Sequence, residues 1–335
     1  MRHTPGLVVL DAAAVPSLLR PLDAVEALEA ALRAGLDPST STPRSSFPAP
    51  AGELLLMPAL AGGAVGVKVV GVAPDNGRLG LPRIQGLYLL FDAATLTPRA
   101  VLDGAALTTL RTPAVSVAAV RSALVGRPLP LRVVVFGAGP QGVAHLRTLA
   151  DVLAPPGPAD VPVVEAIVVV RDVARAAVPV LDGVGVRVLG VEEEAEVRGA
   201  LQEADLVVCT TTATNPLFAA DVLRQDAVVV AVGAHEPDAQ EVETGLAGRA
   251  TVLVEDRATG LREAGVVRAA VAAGLLSPAD VVPIRDVVTG SVSPSRARPL
   301  LFVSVGMAWE DLVVADRLHQ AHREAELVSR PPADR

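Results

Sequence analysis

The sequence predicts an α/β protein in which a doubly wound parallel sheet is inserted into a second, α+β domain. From Leu131 onward, short apolar strands alternate with helical segments, which is typical of a parallel sheet with crossover helices. Upstream, apolar runs at residues 53–57, 64–72 and 86–91 follow one another and are separated by Gly, Pro, Asn and Asp. This second pattern indicates a mostly antiparallel sheet and therefore a separate domain.

A glycine-rich turn lies at the start of the parallel-sheet region. The apolar run 133–136 is followed by Gly137-Ala138-Gly139-Pro140-Gln141-Gly142 and then by apolar residues at helical spacing. Gly137 allows a tight turn, Gly139 lets the backbone approach a pyrophosphate, and Gly142 lets the helix pack closely on the strand. The order strand, turn, helix therefore predicts a Rossmann dinucleotide-binding site, with a glycine turn that holds no ligand as the alternative.

The end of the second parallel strand indicates which dinucleotide is bound. An acid at this position binds the ribose 2′-hydroxyl of NAD, whereas an arginine favours the 2′-phosphate of NADP. Here Arg171 comes first and Asp172 follows, with Arg175 one turn further on. The sequence favours NADP(H), and NAD(H) stays open.

Composition excludes several classes of protein. Aromatic residues make up 2% of the chain and the net charge is −8, which argues against nucleic acid or an anionic membrane as a partner. Cys209 is the only cysteine, so an internal disulfide or a thiolate metal cluster is excluded. His319 and His322 have no third ligand nearby, so we predict no metal site. Without a long apolar run or a signal pattern, a cytoplasmic protein is expected.

Lys68 stands out because it is the single lysine beside 28 arginines. A lysine can lose its proton or act as a compact acid, which an arginine cannot do. Its neighbours, Val65-Gly66-Val67 and Val69-Val70, form a strand pattern that places it among apolar side chains. We predict a functional role for Lys68, and chance survival on a surface is the alternative.

Other candidate residues lie in loops and at strand ends. Arg44 lies in a Pro/Ser/Thr-rich loop, and Arg111 lies on a helix where it can bind a carboxylate. Thr112, the next residue of that helix, is a candidate cofactor-binding residue. Thr210 and Thr211 follow one parallel strand, and Gly233 and His235 follow the next. Open α/β sheets bind ligands at the carboxyl ends of their strands, so these residues are predicted to line the cofactor site. His235 is a candidate proton donor.

Several different short motifs are spread along the whole chain. They are Arg44; Leu56-Met57-Pro58-Ala59; Gly66-Val67-Lys68; Gln85-Gly86; Leu89-Leu90-Phe91-Asp92; Leu102-Asp103-Gly104; Leu110-Arg111-Thr112; Val135-Phe136 with the glycine turn; Cys209-Thr210-Thr211-Thr212; Ala231-Val232-Gly233; and Val305-Gly306-Met307-Ala308 with Glu310-Asp311. Jointly they resemble the ornithine cyclodeaminase/μ-crystallin family, and the resemblance runs nearly end to end.

The resemblance implies a homodimer. Residues 1–118 and 312–335 would form a substrate-binding and dimerisation domain around a Rossmann domain of residues 119–311. It also implies that Arg44, Lys68 and Arg111 hold a substrate carboxylate at the nicotinamide, with Lys68 serving as acid or base. The implied chemistry is hydride transfer at an amino or imino carbon of a small amino acid.

Two departures from the family pattern bear on the reaction. Ornithine cyclodeaminases carry an acid where this chain has Leu55, and an aspartate where it has His235. Arg83-Ile84 also replaces a Thr-His pair found in many relatives, and Arg83 is a candidate for reshaping the pocket or binding a second carboxylate. The loss of the two acids, with Arg44, Lys68 and Arg111 retained, favours an NAD(P)H-dependent imine reductase or amino-acid dehydrogenase. Ornithine cyclodeaminase and a non-catalytic, nucleotide-binding μ-crystallin-like protein are the alternatives.

Overall fold

The chain divides into two units in the computed structural model, which describes residues 6–154, 163–234 and 238–329. Unit 1 comprises Met1–Arg111 and Met307–Arg335, and unit 2 comprises Thr112–Gly306. The boundaries expected from the sequence, 118/119 and 311/312, lie a few residues further along the chain. His235 and the expected irregular insertion at 155–162 lie outside the described residues.

Strands and helices follow one another along both units. The strands are β1 (Val8–Leu10), β2 (Ser45–Ala49), β3 (Gly52–Ala61), β4 (Ala64–Val72), β5 (Ile84–Asp92), β6 (Pro98–Asp103), β7 (Leu131–Phe136), β8 (Val164–Val170), β9 (Val184–Gly190), β10 (Leu206–Cys209), β11 (Val228–Ala231), β12 (Thr251–Val254), β13 (Val282–Pro283) and β14 (Leu300–Val303). The helices are α1 (Ala14–Leu18), α2 (Pro21–Arg33), α3 (Gly104–Leu124), α4 (Pro140–Leu153), α5 (Glu194–Glu203), α6 (Thr244–Arg249), α7 (Arg257–Glu263), α8 (Gly265–Ala272), α9 (Ile284–Val288) and α10 (Ala308–Ser329).

Unit 1 is built on a six-stranded sheet in the order β1-β6-β5-β4-β3-β2. Strands β3 to β6 pair antiparallel as the sequence predicts, β2 pairs antiparallel with β3, and β1 joins β6 in parallel. Helix α10 packs on strands β3 to β6 and on α2. Because successive residues of a strand point to opposite faces, alternate positions within β3 to β6 are buried on this side.

Strand β2 is a difference from the sequence prediction, which places residues 37–50 in a loop. All five of its residues are exposed, it lies at the edge of the sheet, and it contains Pro48. Proline is tolerated at a sheet edge because the outward N–H groups of an edge strand have no neighbouring strand to which they donate. An exposed edge strand therefore carries the composition of a loop, which is why the sequence contains no sign of it.

Unit 2 is built on an eight-stranded sheet in the order β13-β12-β14-β11-β10-β7-β8-β9, with every strand pair parallel. The segment β9-β8-β7-β10-β11 reproduces the 3-2-1-4-5 part of the doubly wound dinucleotide-binding order, and the last strand, β14, lies between β11 and β12. The central strands β10, β11, β12 and β14 are buried along their whole length. The predicted fold class is confirmed.

The crossover from β8 to β9 differs from the expected strand–helix alternation. Within the described chain it contains a single 3-10 turn, Val173–Arg175, and no α-helix. Arg171 and Asp172 lie at the start of this connection. The residues that are predicted to select the cofactor are therefore followed by a short, exposed turn.

Within residues 6–154, 163–234 and 238–329, no helix is both long enough and apolar enough to cross a bilayer.

Candidate active site

Lys68 lies at the centre of β4, on the buried face of the unit 1 sheet. The ladder places it opposite Met57 of β3 and Tyr88 of β5. All three side chains are buried, and Lys68 is 2% exposed. Gly66, on the same face, makes room for the tyrosine ring, because a Cβ at position 66 would lie 2.1 Å from the Tyr88 hydroxyl. The predicted burial of the single lysine is thus observed.

Lys68 belongs to a buried cluster of four charges. Its Nζ lies 3.0 Å from Oδ1 and 2.8 Å from Oδ2 of Asp311. Arg111 donates from Nε to the same Asp311 Oδ1 at 3.2 Å and from Nη1 to Oε2 of Glu310 at 2.5 Å. Two cations therefore face two carboxylates, both of which come from the first turn of α10.

The environment of Lys68 changes its proton affinity. Burial lowers the pKa of Lys68 from 10.5 to about 8, because an apolar surrounding disfavours the charged ammonium. Asp311 raises this pKa by attraction, and Arg111 lowers it by repulsion. The result is a lysine that is protonated at neutral pH but releases its proton more readily than an exposed lysine does.

Glu310 connects the charge cluster to the N-terminus of α10. Its Oε1 accepts the Met307 N–H at 3.0 Å, which is one half of a capping box, while its Oε2 holds Arg111. Both oxygens are thus engaged, and the side chain is fully buried. The carboxylate fixes the direction of the Arg111 guanidinium relative to the end of α10.

The other arginines predicted for substrate binding lie in the same unit. Arg44 directly precedes β2 and is half-buried. The next residue, Ser45, pairs with Leu56, the neighbour of Met57. Arg44 is therefore at the edge-strand end of the row that contains Lys68. Arg83 is exposed and precedes β5.

The predicted nucleotide loop has the geometry that binding a pyrophosphate requires. Gly137 adopts φ +105°, which favours glycine. A Cβ at Gly142 would lie 2.1 Å from the Gly137 carbonyl oxygen, so only glycine allows α4 to start this close to the turn. Gly139, the N-cap of α4, has open space where its Cβ would be, and Pro140 follows at the first helical position. The free N–H groups of a helix N-terminus bind anions, so these residues fit a dinucleotide.

The strand ends of unit 2 hold several of the predicted cofactor residues. The Thr210 hydroxyl donates to the Phe136 carbonyl at 2.9 Å, beside the glycine turn. Thr211 and Gly233 both donate their N–H groups to Glu241. Thr112 is buried in α3, and its carbonyl accepts the Ser116 hydroxyl. His235 lies outside the described residues, so its predicted role stays a prediction.

Two further side chains of unit 2, Cys209 and His145, have surroundings that fit a structural role. Burial raises the pKa of Cys209 well above its usual value, so the thiol is not a ready nucleophile. His145 contacts the Gln141 carbonyl through Nδ1 and the Ser116 hydroxyl through Nε2, and burial lowers its pKa to about 4. Within the described chain, no three His, Cys, Asp or Glu side chains are grouped to hold a metal ion.

The parallel sheet and glycine loop define a Rossmann dinucleotide-binding protein, here joined to a second unit with a buried lysine–arginine cluster. The chain belongs to the ornithine cyclodeaminase/mu-crystallin family, whose model matches residues 7–326. This confirms the resemblance on which the sequence prediction rests.

Two relatives and one solved structure are similar to this chain over most of its length. The Δ1-pyrroline-2-carboxylate/Δ1-piperideine-2-carboxylate reductase of Azospirillum brasilense is 32% identical over 269 residues, covering 78% of each chain. The ketimine reductase mu-crystallin of Mus musculus is 30% identical over 273 residues, covering 81% of this chain and 80% of that one. The structure of Thermococcus litoralis Δ1-pyrroline-2-carboxylate reductase with NADH and L-proline matches at a TM-score of 0.83 and 22% identity, covering 96% and 98% of the two chains. This last likeness confirms the fold.

Sequence reasoning misses the contributions of three acidic residues to these sites. Glu310 and Asp311 belong to a recognised motif, but acids in the first turn of a helix are also typical of exposed helix starts, so nothing marks them as buried. Glu241 lies in a polar segment beside Gln240 and Glu243 and looks like a solvated acid. No sequence signal separates it from its neighbours, because its burial depends on contacts that only the fold creates.

Proposed function

We propose that this protein is an NAD(P)H-dependent reductase that converts a small imino acid to the amino acid. The observation that carries the proposal is Lys68, a buried lysine with a pKa of about 8 held beside Arg111. The class, an oxidoreductase acting on carbon–nitrogen bonds, agrees with relatives that are named as pyrroline-carboxylate and ketimine reductases.

Arg44 and Arg111 bind the carboxylate of the substrate in this proposal. A guanidinium presents a planar set of donors that matches a carboxylate in a bidentate pair. Glu310 and Asp311 hold Arg111 at Nη1 and Nε, so its orientation is fixed before the substrate arrives. Such preorganisation places the imine carbon and nitrogen reproducibly.

Lys68 supplies the proton that the reduction needs. When bound, the nicotinamide cofactor would supply the hydride for the imine carbon. The π electrons of the carbon–nitrogen bond then move to nitrogen, and the Lys68 ammonium donates a proton to that atom. The neutral lysine regains a proton from solvent. A donor whose pKa lies near the working pH is suited to this task, and His235 stays an alternative donor.

The cofactor proposal is that NADPH is preferred. Asp172 caps the 3-10 turn through Oδ1, which accepts the Ala174 N–H at 3.1 Å, and its Oδ2 lies 3.6 Å from Arg175 Nε. The carboxylate that NAD recognition needs is thus engaged locally, while Arg171 is exposed beside it. This arrangement supports binding of a 2′-phosphate.

We also propose that two copies associate through the outer face of the unit 1 sheet. The row next to that of Lys68 lies on this face and consists of Pro58, Val67, Leu89, Val101 and Val9. A sheet with one solvated face usually carries polar residues there, so an apolar outer row favours a covering partner. A second copy is the occupant that the family resemblance implies. A cytoplasmic location also stays a prediction.

The function is tested by consumption of NADPH or NADH on a panel of imino acids. The panel contains Δ1-pyrroline-2-carboxylate, Δ1-piperideine-2-carboxylate and open imines formed from 2-oxo acids with ammonia or methylamine. We expect loss of cofactor absorbance with wild type, and at least a ~100-fold lower kcat with Lys68→Arg at unchanged cofactor affinity, since arginine cannot release a proton.

Two outcomes would contradict the proposal. Release of ammonia and proline from ornithine with no net change in cofactor absorbance would identify a cyclodeaminase. Tight nucleotide binding without turnover on any member of the panel would instead identify a binding protein. An active Lys68→Arg variant would remove the lysine from its role while leaving the reductase assignment intact.

A further inference from the structure

Glu241 is a buried carboxylate that holds two neighbouring strand ends of unit 2. Its Oε1 accepts the N–H and the hydroxyl of Thr211 at 2.7 and 2.8 Å, and its Oε2 accepts the Gly233 N–H at 2.7 Å. The residue is 1% exposed. Burial raises the pKa of Glu241, and hydrogen bonds from Thr211, Gly233 and Ala234 oppose that rise. Because backbone N–H groups can only donate, both oxygens of Glu241 act as acceptors, as they do in an ionised carboxylate.

The donors come from two adjacent parallel strands. Cys209 of β10 and Ala231 of β11 are register partners, and Thr211 and Gly233 each lie two residues beyond them. The two segments come so close that a Cβ at Gly233 would lie 2.0 Å from the Thr211 carbonyl oxygen. A buried charge is tolerated only when its hydrogen bonds are satisfied, so Glu241 requires both strand ends to stay where they are.

The location of this carboxylate gives it a functional meaning. The glycine turn follows β7, and β10 and β11 form the next strands on the side opposite β8. In a doubly wound sheet the first half, on the β8 side, binds the adenosine and the second half binds the other nucleotide. The ends of β10 and β11 therefore belong to the nicotinamide half of the cofactor site. The Thr210 hydroxyl, bound to the Phe136 carbonyl, links them to the glycine turn.

We propose that Glu241 is a positioning residue for the nicotinamide half of the cofactor, acting through Thr211 and Gly233. This rests on the function proposed above. Because the carboxylate uses the N–H groups of both strand ends, their backbone has one fixed arrangement before the cofactor binds. Fixing that surface in advance lowers the ordering cost of placing the nicotinamide for hydride transfer.

The test compares whole cofactors with a fragment that lacks the nicotinamide. Glu241→Gln replaces one acceptor oxygen by an NH₂ group, so at one end a donor meets a donor. We expect the Kd of NADPH and NADH to rise about tenfold or more, because hydrogen bonds to a charged group are lost. The Kd of ADP-ribose and of its 2′-phosphate should stay within about twofold of wild type, since they bind the other half.

Glu243→Gln is the matched control. The Glu243 carboxylate accepts the backbone N–H of Ala220 at 2.8 Å, so it acts on a different segment from the two strand ends that Glu241 holds. We expect both whole cofactor and fragment to bind this variant like wild type. Thr211→Val is the second test variant if Glu241→Gln does not fold, because it removes a single donor to Glu241 while keeping the shape of the side chain.

The outcomes separate this inference from the proposed function. Equal losses for cofactor and fragment, or no loss for either, would overturn the role of Glu241. A wild type that binds cofactor but reduces no imine would overturn the reductase and leave the role of Glu241 supported, provided that Glu241→Gln discriminates cofactor from fragment.

Discussion

Lys68 shows how one side chain acquires a property that its type does not ordinarily have. Burial on the inner face of the unit 1 sheet costs the ammonium its hydration, and Asp311 and Arg111 then act on it with opposite signs. The contacts with Asp311, which oppose the lowering of its pKa by burial, also hold its Nζ in place. Neither the strand nor the helix alone creates this environment, since the lysine comes from β4 and its partner from α10.

Reduction should therefore depend on pH through Lys68. The proton donor must be charged, so kcat/KM should fall as pH rises through about 8, where the lysine loses its proton. Asp311→Asn removes the attraction that raises this pKa, so the falling limb should move to lower pH. The variant should also lose about 3 kcal/mol of stability, because two buried cations lose a partner.

The measurement is a pH–rate profile for wild type and Asp311→Asn, with thermal unfolding as a check of folding. Glu324→Gln, an exposed substitution on the same helix, is the control and should leave the profile unchanged. A falling limb at the same pH in both proteins would show that another group, such as His235, donates the proton.

Gly139 provides a second test because its surroundings are open. Its backbone, φ −73° and ψ 179°, suits any residue, and an added Cβ would meet no protein atom within 4 Å. Gly139→Ala should fold like wild type yet bind NADPH at least ~10-fold more weakly, since the methyl group takes the space of a pyrophosphate.

Binding is measured by titration of cofactor fluorescence. Gly199→Ala in α5, another position with open space around the Cβ, is the control and should bind normally. Unchanged affinity in Gly139→Ala would place the pyrophosphate elsewhere.

The turn after β8 decides cofactor preference in our proposal. Arg171→Ala should lower kcat/KM for NADPH about tenfold and leave that for NADH nearly unchanged, because only NADPH carries the 2′-phosphate. Arg198→Ala, which removes an exposed arginine from α5, is the control and should leave kcat/KM unchanged for both cofactors. Equal losses with both cofactors would contradict the assignment.

Helix α10 is the element that the sequence describes least completely. The sequence predicts a last helix from Leu312 to Leu327, and the structure has it at Ala308–Ser329. Its role in the cluster is not predictable, because pairing Asp311 with Lys68 and Arg111 joins residues about 200 positions or more apart. Strand β2 is not predicted for a local reason, because its exposed, proline-containing sequence lacks any strand pattern.

The molecule as a whole follows the predicted class because its patterns agree over long stretches. Seven of the eight parallel strands, the glycine turn and the antiparallel strands β3 to β6 each have a period or a motif that a single sequence displays, whereas the two-residue strand β13 has none. The charge cluster and the Glu241 contacts do not, since they arise where distant segments meet. The family and fold are confirmed, whereas the roles of individual site residues stay predictions.

Association of two copies through the outer face of the unit 1 sheet is also testable. Leu87 lies on that face and is 51% exposed, so Leu87→Asp should cost the isolated chain little but should oppose burial against a partner. We expect wild type to sediment as a dimer and Leu87→Asp as a monomer at the same concentration.

Val180→Asp is the control, because Val180 is 99% exposed in unit 2 and should leave the mass of the complex unchanged. A wild-type monomer, or a dimer that tolerates Leu87→Asp, would contradict the proposed face.

The discontinuity of unit 1 has a consequence for the newly synthesised chain. Lys68 and Arg111 leave the ribosome well before Asp311, because roughly 200 residues of unit 2 are translated in between, which takes about 10–40 s. During that interval the two cations lack the carboxylates that neutralise them in the finished protein. We therefore expect the inserted unit to fold first during translation, and the N-terminal sheet to become stable only when α10 emerges as the last piece of its own domain.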